Sequence, residues 1–476
     1  MLPLLSALTL AQVPQMSIDA FYSPSEPQET ITRETIVQPQ EIRVLPGRLD
    51  EIPVFNSNSP EVVYSAGILL STFPPDEMLA PRAHLDLPLA GRFDIFSHHI
   101  ARGRTKADWL PKYHGLLVRN PNDHPVVMNV LQGVSYVTNP DAPFVDLPPV
   151  VDNRTGTVFS GPGSRLAGDV LRGVDEDEFP DRLILEPGET RMLYNLPIHL
   201  GNARSTLVKV ETTGEVYLAS LAMPAIQRGD RRAHRPPTLE EWERLLMQGY
   251  LAFPRDRPPT PLEETRFEVI YGRVAGVARG SQWHTEIVDE GGSYLSIPAP
   301  GEAFSYPIST VNAGTLGTGQ IQSAPMLVRY PDTAYLAHGN YGVHYQFTLP
   351  LKNNGDRHKT VNVTLQTPLK HDREVEELEF LEPPSDRIFF RGSVRVSYKD
   401  ELGLFRDRFF HLVQRRGEQG EPLVTLNLKP GMTRDVTVEL LYPPDATPPQ
   451  VLTVSTDDNS LRVNKGLEEK IEVNLE

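Results

Sequence analysis

Apolar and polar positions alternate with a period of two along most of the chain, in short runs bounded by Gly, Pro, Asn or Asp. "VVMNVLQGVSYV", "STLVKVETTGEVYLASLAM", "TVNVTLQT", "GSVRVSYKD", "RDVTVELLY" and "VLTVST" are such runs. Alternation turns one face of a strand to a core and the other to solvent, and many short strands punctuated by turn residues predict antiparallel β sandwiches. Thr213-Gly214 predicts a turn between two Val-rich strands. Asn354-Gly355 in "KNNGDRH" predicts a hairpin turn, since Gly tolerates a positive φ.

One segment has the other period. "PPTLEEWERLLMQGYLA" opens on prolines, offers Thr238 as N-cap with Glu241 three residues on, and places Leu239, Trp242, Leu245 and Leu246 on one face, the pattern of an amphipathic helix. "FPRDRPPTPLEET" follows it and reads as a stiff, Pro-rich extended linker. The helix and linker, 229–264, are expected to join two tandem β-sandwich domains, 41–228 and 265–476. Ahead of them, 13–40 is rich in Pro, Gln, Ser and Glu and reads as a flexible leader.

The two domains repeat themselves. "LLVRNPNDHPVVMNVLQ" ends at Gln132 and "LPLKNNGDRHKTVNVTLQ" at Gln366; both are strand, Asn-rich turn, strand, Leu-Gln. "LEPGETR" ending at Arg191 and "LKPGMTR" ending at Arg434 lie farther on in the same order. Two ordered matches in each half predict a duplication in which the copied residues are mainly turn residues.

Composition narrows the function. A chain of 476 residues exceeds what one hydrophobic core organises. A formal charge of -16 repels nucleic acid and anionic lipid, so a nucleic-acid partner is disfavoured. With no cysteine, disulfides, thiol catalysis and Cys-ligated metals are excluded together. No run reaches the ~20 apolar residues of a transmembrane helix. "MLPLLSALTLAQVPQ" carries an apolar run, Leu2 to Ala11, with Thr9 and Ala11 as small residues before a cut near Gln12. Segment 1–12 is therefore read as a secretion signal, and the protein as periplasmic or in the outer envelope.

Candidate chemistry is sparse. His98, His99, His114, His338, His344 and His358 lack metal-ligand spacing and read as hydrogen-bonded histidines beside strand ends; no metal, cofactor or catalytic residue is assigned. "GTLGTGQ" (314–320) lacks the Lys-Ser/Thr ending of a phosphate loop, and "GPGSR" (161–165) is a loop without a nucleophile elbow. The acidic run 174–181 does not match a calcium loop and reads as solvated. Paired carboxylates for glycoside hydrolysis are a matter of three-dimensional distance. The aromatic stretch "YPDTAYLAHGNYGVHYQF" is the better candidate: Tyr335, Tyr341 and Tyr345 supply rings, and His338 and Asn340 supply direction, for an exposed ligand platform.

"RLDEIPVFNSNSPE", "GRFDIFSHHIAR", "IYGRVAGVARGSQW", "GTGQIQSAPMLVRYPDTAYLAHGNYG", "FFRGSVRVSY" and "LLYPPDATPPQVLTV" together resemble the domain-of-unknown-function family 3370 of cyanobacteria, from about Glu41 to Val454. The resemblance implies a cyanobacterial, exported protein and carries no catalytic residue across. The expected function is structural assembly or binding in the cell envelope, with an envelope polysaccharide or envelope protein as partner. A glycan- or polypeptide-binding module is the second reading and a carboxylate-based hydrolase the third.

Overall fold

In the strand His344–Lys352, Tyr345, Phe347, Leu349 and Leu351 are buried, whereas His344, Gln346 and Thr348 are partly exposed. The same sorting recurs throughout the structure, a computed structural model that describes residues 32–105, 108–229, 233–264, 269–373 and 376–458. The chain is mainly β and builds several sheets. The signal-like run 1–12 lies outside the described residues. Among those described, no helix is long and apolar enough to cross a membrane.

A seven-stranded sheet runs in the order Gln282–Glu286, His344–Lys352, Thr433–Leu441, Ile388–Lys399, Phe405–Arg415 and Val150–Asp152, with Leu295–Ser296 beside the second strand. It packs on a five-stranded sheet ordered Glu41–Ile42, Ala303–Ile308, Gln450–Thr456, Lys359–Gln366 and Pro422–Leu428. Phe347, Val394 and Val438 from one and Phe304, Val363 and Leu452 from the other share a core.

The remaining large sheet has twelve strands and folds back on itself at Ala203–Pro224. Residues 203–216 of that strand pair with Leu89–Ala101, and residues 217–224 pair with Lys112–Arg119 in the opposite layer. The turn expected at Thr213-Gly214 is therefore absent. The run is one 22-residue strand whose ladder slips between Thr212 and Val216 as it changes layer. Val208 and Val210 before the slip and Val216 and Leu218 after it face the same core from its two opposite layers.

Two helices cover these layers. Helix α2 (Leu239–Gln248) has the expected capping box, Thr238 N donating to Glu241 Oε2 at 2.8 Å. Its Trp242 and Leu246 pack against Leu117 and Leu221. The indole lies flat on Gly115, where a Cβ would sit 2.7 Å from it. Helix α1 (Pro162–Arg172) corrects the loop reading of "GPGSR", which forms its first turn, with Pro162 at the start and Gly173 closing it at φ 71°. Leu166, Ala167 and Val170 pack on Val134, Tyr136 and Leu207 of the long layer, and the other side of α1 meets Ile388–Lys399 and Thr433–Leu441. Part of the expected leader is also ordered: Glu34–Pro39 pairs with Glu377–Glu382, and this ribbon seats Ile36, Leu378 and Phe380 on Val451 of the five-stranded sheet.

Strand pairing crosses the expected domain boundary. Ala275–Arg279 inserts between Pro53–Ser57 and Ala324–Arg329, Val150–Asp152 joins Phe405–Arg415, and Glu41–Ile42 joins Ala303–Ile308. The linker is itself pinned where Arg255 binds both oxygens of Asp332, at 2.7 and 3.2 Å.

The repeated segments are not hairpins either. Lys112–Arg119 and Val126–Val137 belong to opposite layers, as do His344–Lys352 and Lys359–Gln366, so each Asn-rich turn is an arch between layers. Gly355 needs no positive φ, because its N–H donates to Asn353 Oδ1 at 2.9 Å in an Asx turn. The Pro-Gly turns are arches as well, with Gly188 at φ 72° and Gly431 at φ 70°. In each unit the two arches touch. Asn120 Nδ2 donates to Leu185 O at 3.0 Å and Asn353 Nδ2 to Leu428 O at 2.8 Å, while Gly188 N and Gly431 N donate back to the Asn120 and Asn353 carbonyls.

Candidate functional site

The five residues expected to form an aromatic platform lie near one another but do not present one. Tyr345 is fully buried in the core, since it shares the inward face with Phe347 and Leu349. Asn340 is buried with it: Asn340 Nδ2 donates to Tyr345 Oη at 2.7 Å and to Gln322 O at 2.8 Å, and Oδ1 accepts from Ala324 N at 3.0 Å. Tyr341 stacks on Tyr442 and donates to Ala446 O at 2.9 Å. His338 donates to Gly272 O, and burial lowers its pKa to about 4. Tyr335 and Tyr341 are each partly exposed, and the Tyr335 ring is covered on one side by the Arg329 guanidinium at 4.0 Å. These contacts spend the polar atoms on the fold itself.

Serine and histidine do meet in the first layers. His114 Nε2 lies 2.8 Å from Ser220 Oγ, Ser220 Oγ 2.9 Å from Ser57 Oγ, and Ser57 Oγ 3.0 Å from His99 Nε2. His99 Nδ1 donates to Pro60 O at 3.0 Å, so its Nε2 accepts from Ser57. Burial keeps these rings neutral, lowering His99 to about 4 and His114 well below its ordinary value. Ser57 and Ser220 are 1% and 0% exposed, so the chain ties two layers together and offers no nucleophile to a substrate. Among the described residues no group of three or more His, Cys, Asp or Glu is arranged to hold a metal ion.

The open site lies on the far side of the second unit. Outward positions of the five-stranded sheet are hydroxyl and amide residues, alternating with the core positions Val361, Val363, Leu452 and Val454. Neighbouring strands link them: Ser305 Oγ lies 2.6 Å from Thr453 Oγ1, Gln366 Nε2 donates to Thr453 Oγ1 at 2.9 Å, and Thr425 Oγ1 donates to Asn362 Oδ1 at 2.7 Å. The ribbon segment 37–40 walls one side and the loop at Gln419 and Gly420 the other, leaving a groove of about 440 Å³. Thr364 and Ser455 lie on its floor, and their hydroxyls are not used in this ladder. Glu302 is the one ionisable side chain among the described residues lining it, and no aromatic ring lines it. The groove thus offers mainly neutral hydrogen-bonding groups. Sequence alternation flagged these positions only as a solvent face.

Fold and groove together define a mainly β, multi-sheet protein with an open polar groove that one carboxylate lines. The chain belongs to the family described as protein of unknown function (DUF3370), whose pattern matches residues 40–456. No curated protein matches it. Among solved structures it is 10% identical to Fet3p, a multicopper oxidase that functions in iron import, with a TM-score of 0.11, over 74% of this chain and 51% of that one. It thus spans about half the length of that oxidase. It is 12% identical to the 11S allergen of Cocos nucifera, with a TM-score of 0.09, over 78% of this chain and 81% of that one. Likeness at this level lends neither fold nor function.

Proposed function

We propose that the chain is a binding protein whose ligand is a neutral polyhydroxylated molecule, a glycan of the cell envelope, held in the groove beside Glu34–Pro39. The observation that carries this reading is the lining: amide and hydroxyl side chains over a space of about 440 Å³ with one carboxylate, within the usual size of small-ligand sites. Such groups offer both donors and acceptors, as a sugar ring does. The net charge of -16 disfavours an anionic polymer. Glycoside hydrolysis takes two carboxylates, so the groove supports binding over hydrolysis. The matched arches at Asn120 and Asn353 support a duplicated sandwich as its origin, and the apolar run Leu2 to Ala11 supports export, with a mature start near Gln12.

The test is retention on neutral cell-wall polysaccharide. Thr364→Val with Ser455→Ala removes two floor hydroxyls at nearly constant shape and should weaken retention about tenfold, roughly 0.5–1.5 kcal/mol for each hydrogen bond, with the melting temperature unchanged. Equal retention by parent and double variant, or none by the parent, overturns the reading.

A further inference from the structure

Two imidazoles meet on the outer face of the seven-stranded sheet, the face turned toward α1. His284 of Gln282–Glu286 and His344 of its parallel neighbour share that face, because Gln282 pairs with His344 and His284 with Gln346. His284 Nε2 lies 3.3 Å from His344 Nδ1, and the rings stand edge to face with centroids 4.9 Å apart. Behind them, His344 Nε2 lies 3.3 Å from Glu439 Oε2, and Arg395 holds the other carboxylate oxygen at 3.4 Å. The Glu439 carboxylate favours a proton on His344 Nε2 by its charge, at a geometry short of a hydrogen bond, and so leaves the Nδ1 lone pair toward His284.

We propose that His284 and His344 bind a late divalent transition ion, Zn²⁺, Ni²⁺ or Cu²⁺, with water completing the coordination. Two nitrogens bound at about 2.0–2.1 Å to a tetrahedral ion stand roughly 3.3–3.4 Å apart, the separation already present. A carboxylate on the far N–H of a ligating imidazole orients the ring and raises its basicity, and Glu439 stands in that position. His284 is exposed, so its ring is free to turn its lone pair onto the ion. Imidazole donors without thiolate or clustered carboxylates select these ions over calcium and magnesium. Asp50 adds negative charge near His284 while Lys209 opposes it, so binding is weaker than at a closed, three-ligand site. The open positions leave room for a second ligand.

Cu²⁺ added below one equivalent to the tag-free full chain should give an electron paramagnetic resonance spectrum with two imidazole nitrogens. His284→Gln should abolish the two-nitrogen pattern and weaken binding at least about tenfold without changing the melting temperature. Glu439→Gln should weaken it by about 10–100-fold. His358→Gln, at an exposed histidine elsewhere, should change neither. A parent spectrum without two nitrogens, or a two-nitrogen pattern that survives His284→Gln, overturns the assignment.

Discussion

Replacing Asn353 tests whether the repeated segments are joined by a specific donor or merely by packing. The side chain is fully buried; its Nδ2 donates to Arg357 O and Leu428 O, each at 2.8 Å, and its Oδ1 accepts from Gly355 N at 2.9 Å. Arg357 is exposed, so water replaces that bond. Leu428 lies in the core, and an unmade buried bond costs about 1–3 kcal/mol. With about 1 kcal/mol more for the Gly355 bond, Asn353→Ala should destabilise by about 2–4 kcal/mol. Asn353→Asp keeps the shape and the acceptor but points a second oxygen at two carbonyls, so it should cost more than Ala near neutral pH. Protonation restores a donor, and the Asp variant should recover part of its loss as pH falls through the carboxyl range. Urea unfolding followed by circular dichroism at pH 7 and pH 4.5, each variant against the parent, measures the order. An Asp variant within 1 kcal/mol of the parent at pH 7 would show that donation from Asn353 is not what holds the arches.

The buried histidines predict acid sensitivity with a definite sign. His99 falls from 6.5 to about 4 on burial, so the unfolded chain binds more protons than the fold between those values; stability is full above about pH 6.5 and declines toward pH 4, by about 3 kcal/mol for His99. Asp445, raised by burial to about 6, acts in the opposite direction, so the His99 share is the part of the slope that His99→Gln removes; an unchanged slope would refute it. Proteolysis between Arg255 and Glu264 should leave both fragments in one gel-filtration peak, because Ala275–Arg279 and Ala324–Arg329 extend the sheet begun at Pro53–Ser57. Two separately folded species in buffer would contradict that pairing.

What the sequence revealed depended on whether a feature was local. The strand His344–Lys352 and helix α2 carry their period in consecutive residues, and the same alternation already put Tyr345 on the face of Phe347, against a platform. Helix α1 was harder because two glycines open it, although Leu166, Ala167 and Val170 at helical spacing between Pro162 and Gly173 would have revealed it. Whether Asn-rich turns made hairpins or arches was not legible, since both alternate alike and differ only in which layer receives the second strand. The groove draws its lining from separated segments, and His284 and His344 are 60 residues apart. Neither leaves a mark at short range.

The repeated Leu-Gln ending locates where the two units part. Gln132 and Gln366 both face away from their cores, on the strands that follow matching arches. In the first unit that outer face is covered by helix α1, and Gln132 Nε2 donates to Val170 O and Val174 O at its C-terminal end, 3.1 Å each. In the second unit no helix among the described residues occupies the corresponding face. The ribbon of Glu34–Pro39 and Glu377–Glu382 covers only the end near Val451, and Gln366 instead donates to Thr453 Oγ1 and accepts from Gly420 N at 3.3 Å along the groove wall. A sheet face buried beneath a helix must be apolar where the helix sits, as Val134 and Tyr136 are. A face left open is free to carry Asn362, Thr364 and Ser455. The covering of the first unit therefore joins the two halves, and the incomplete covering of the second leaves the polar surface on which a ligand has room to bind.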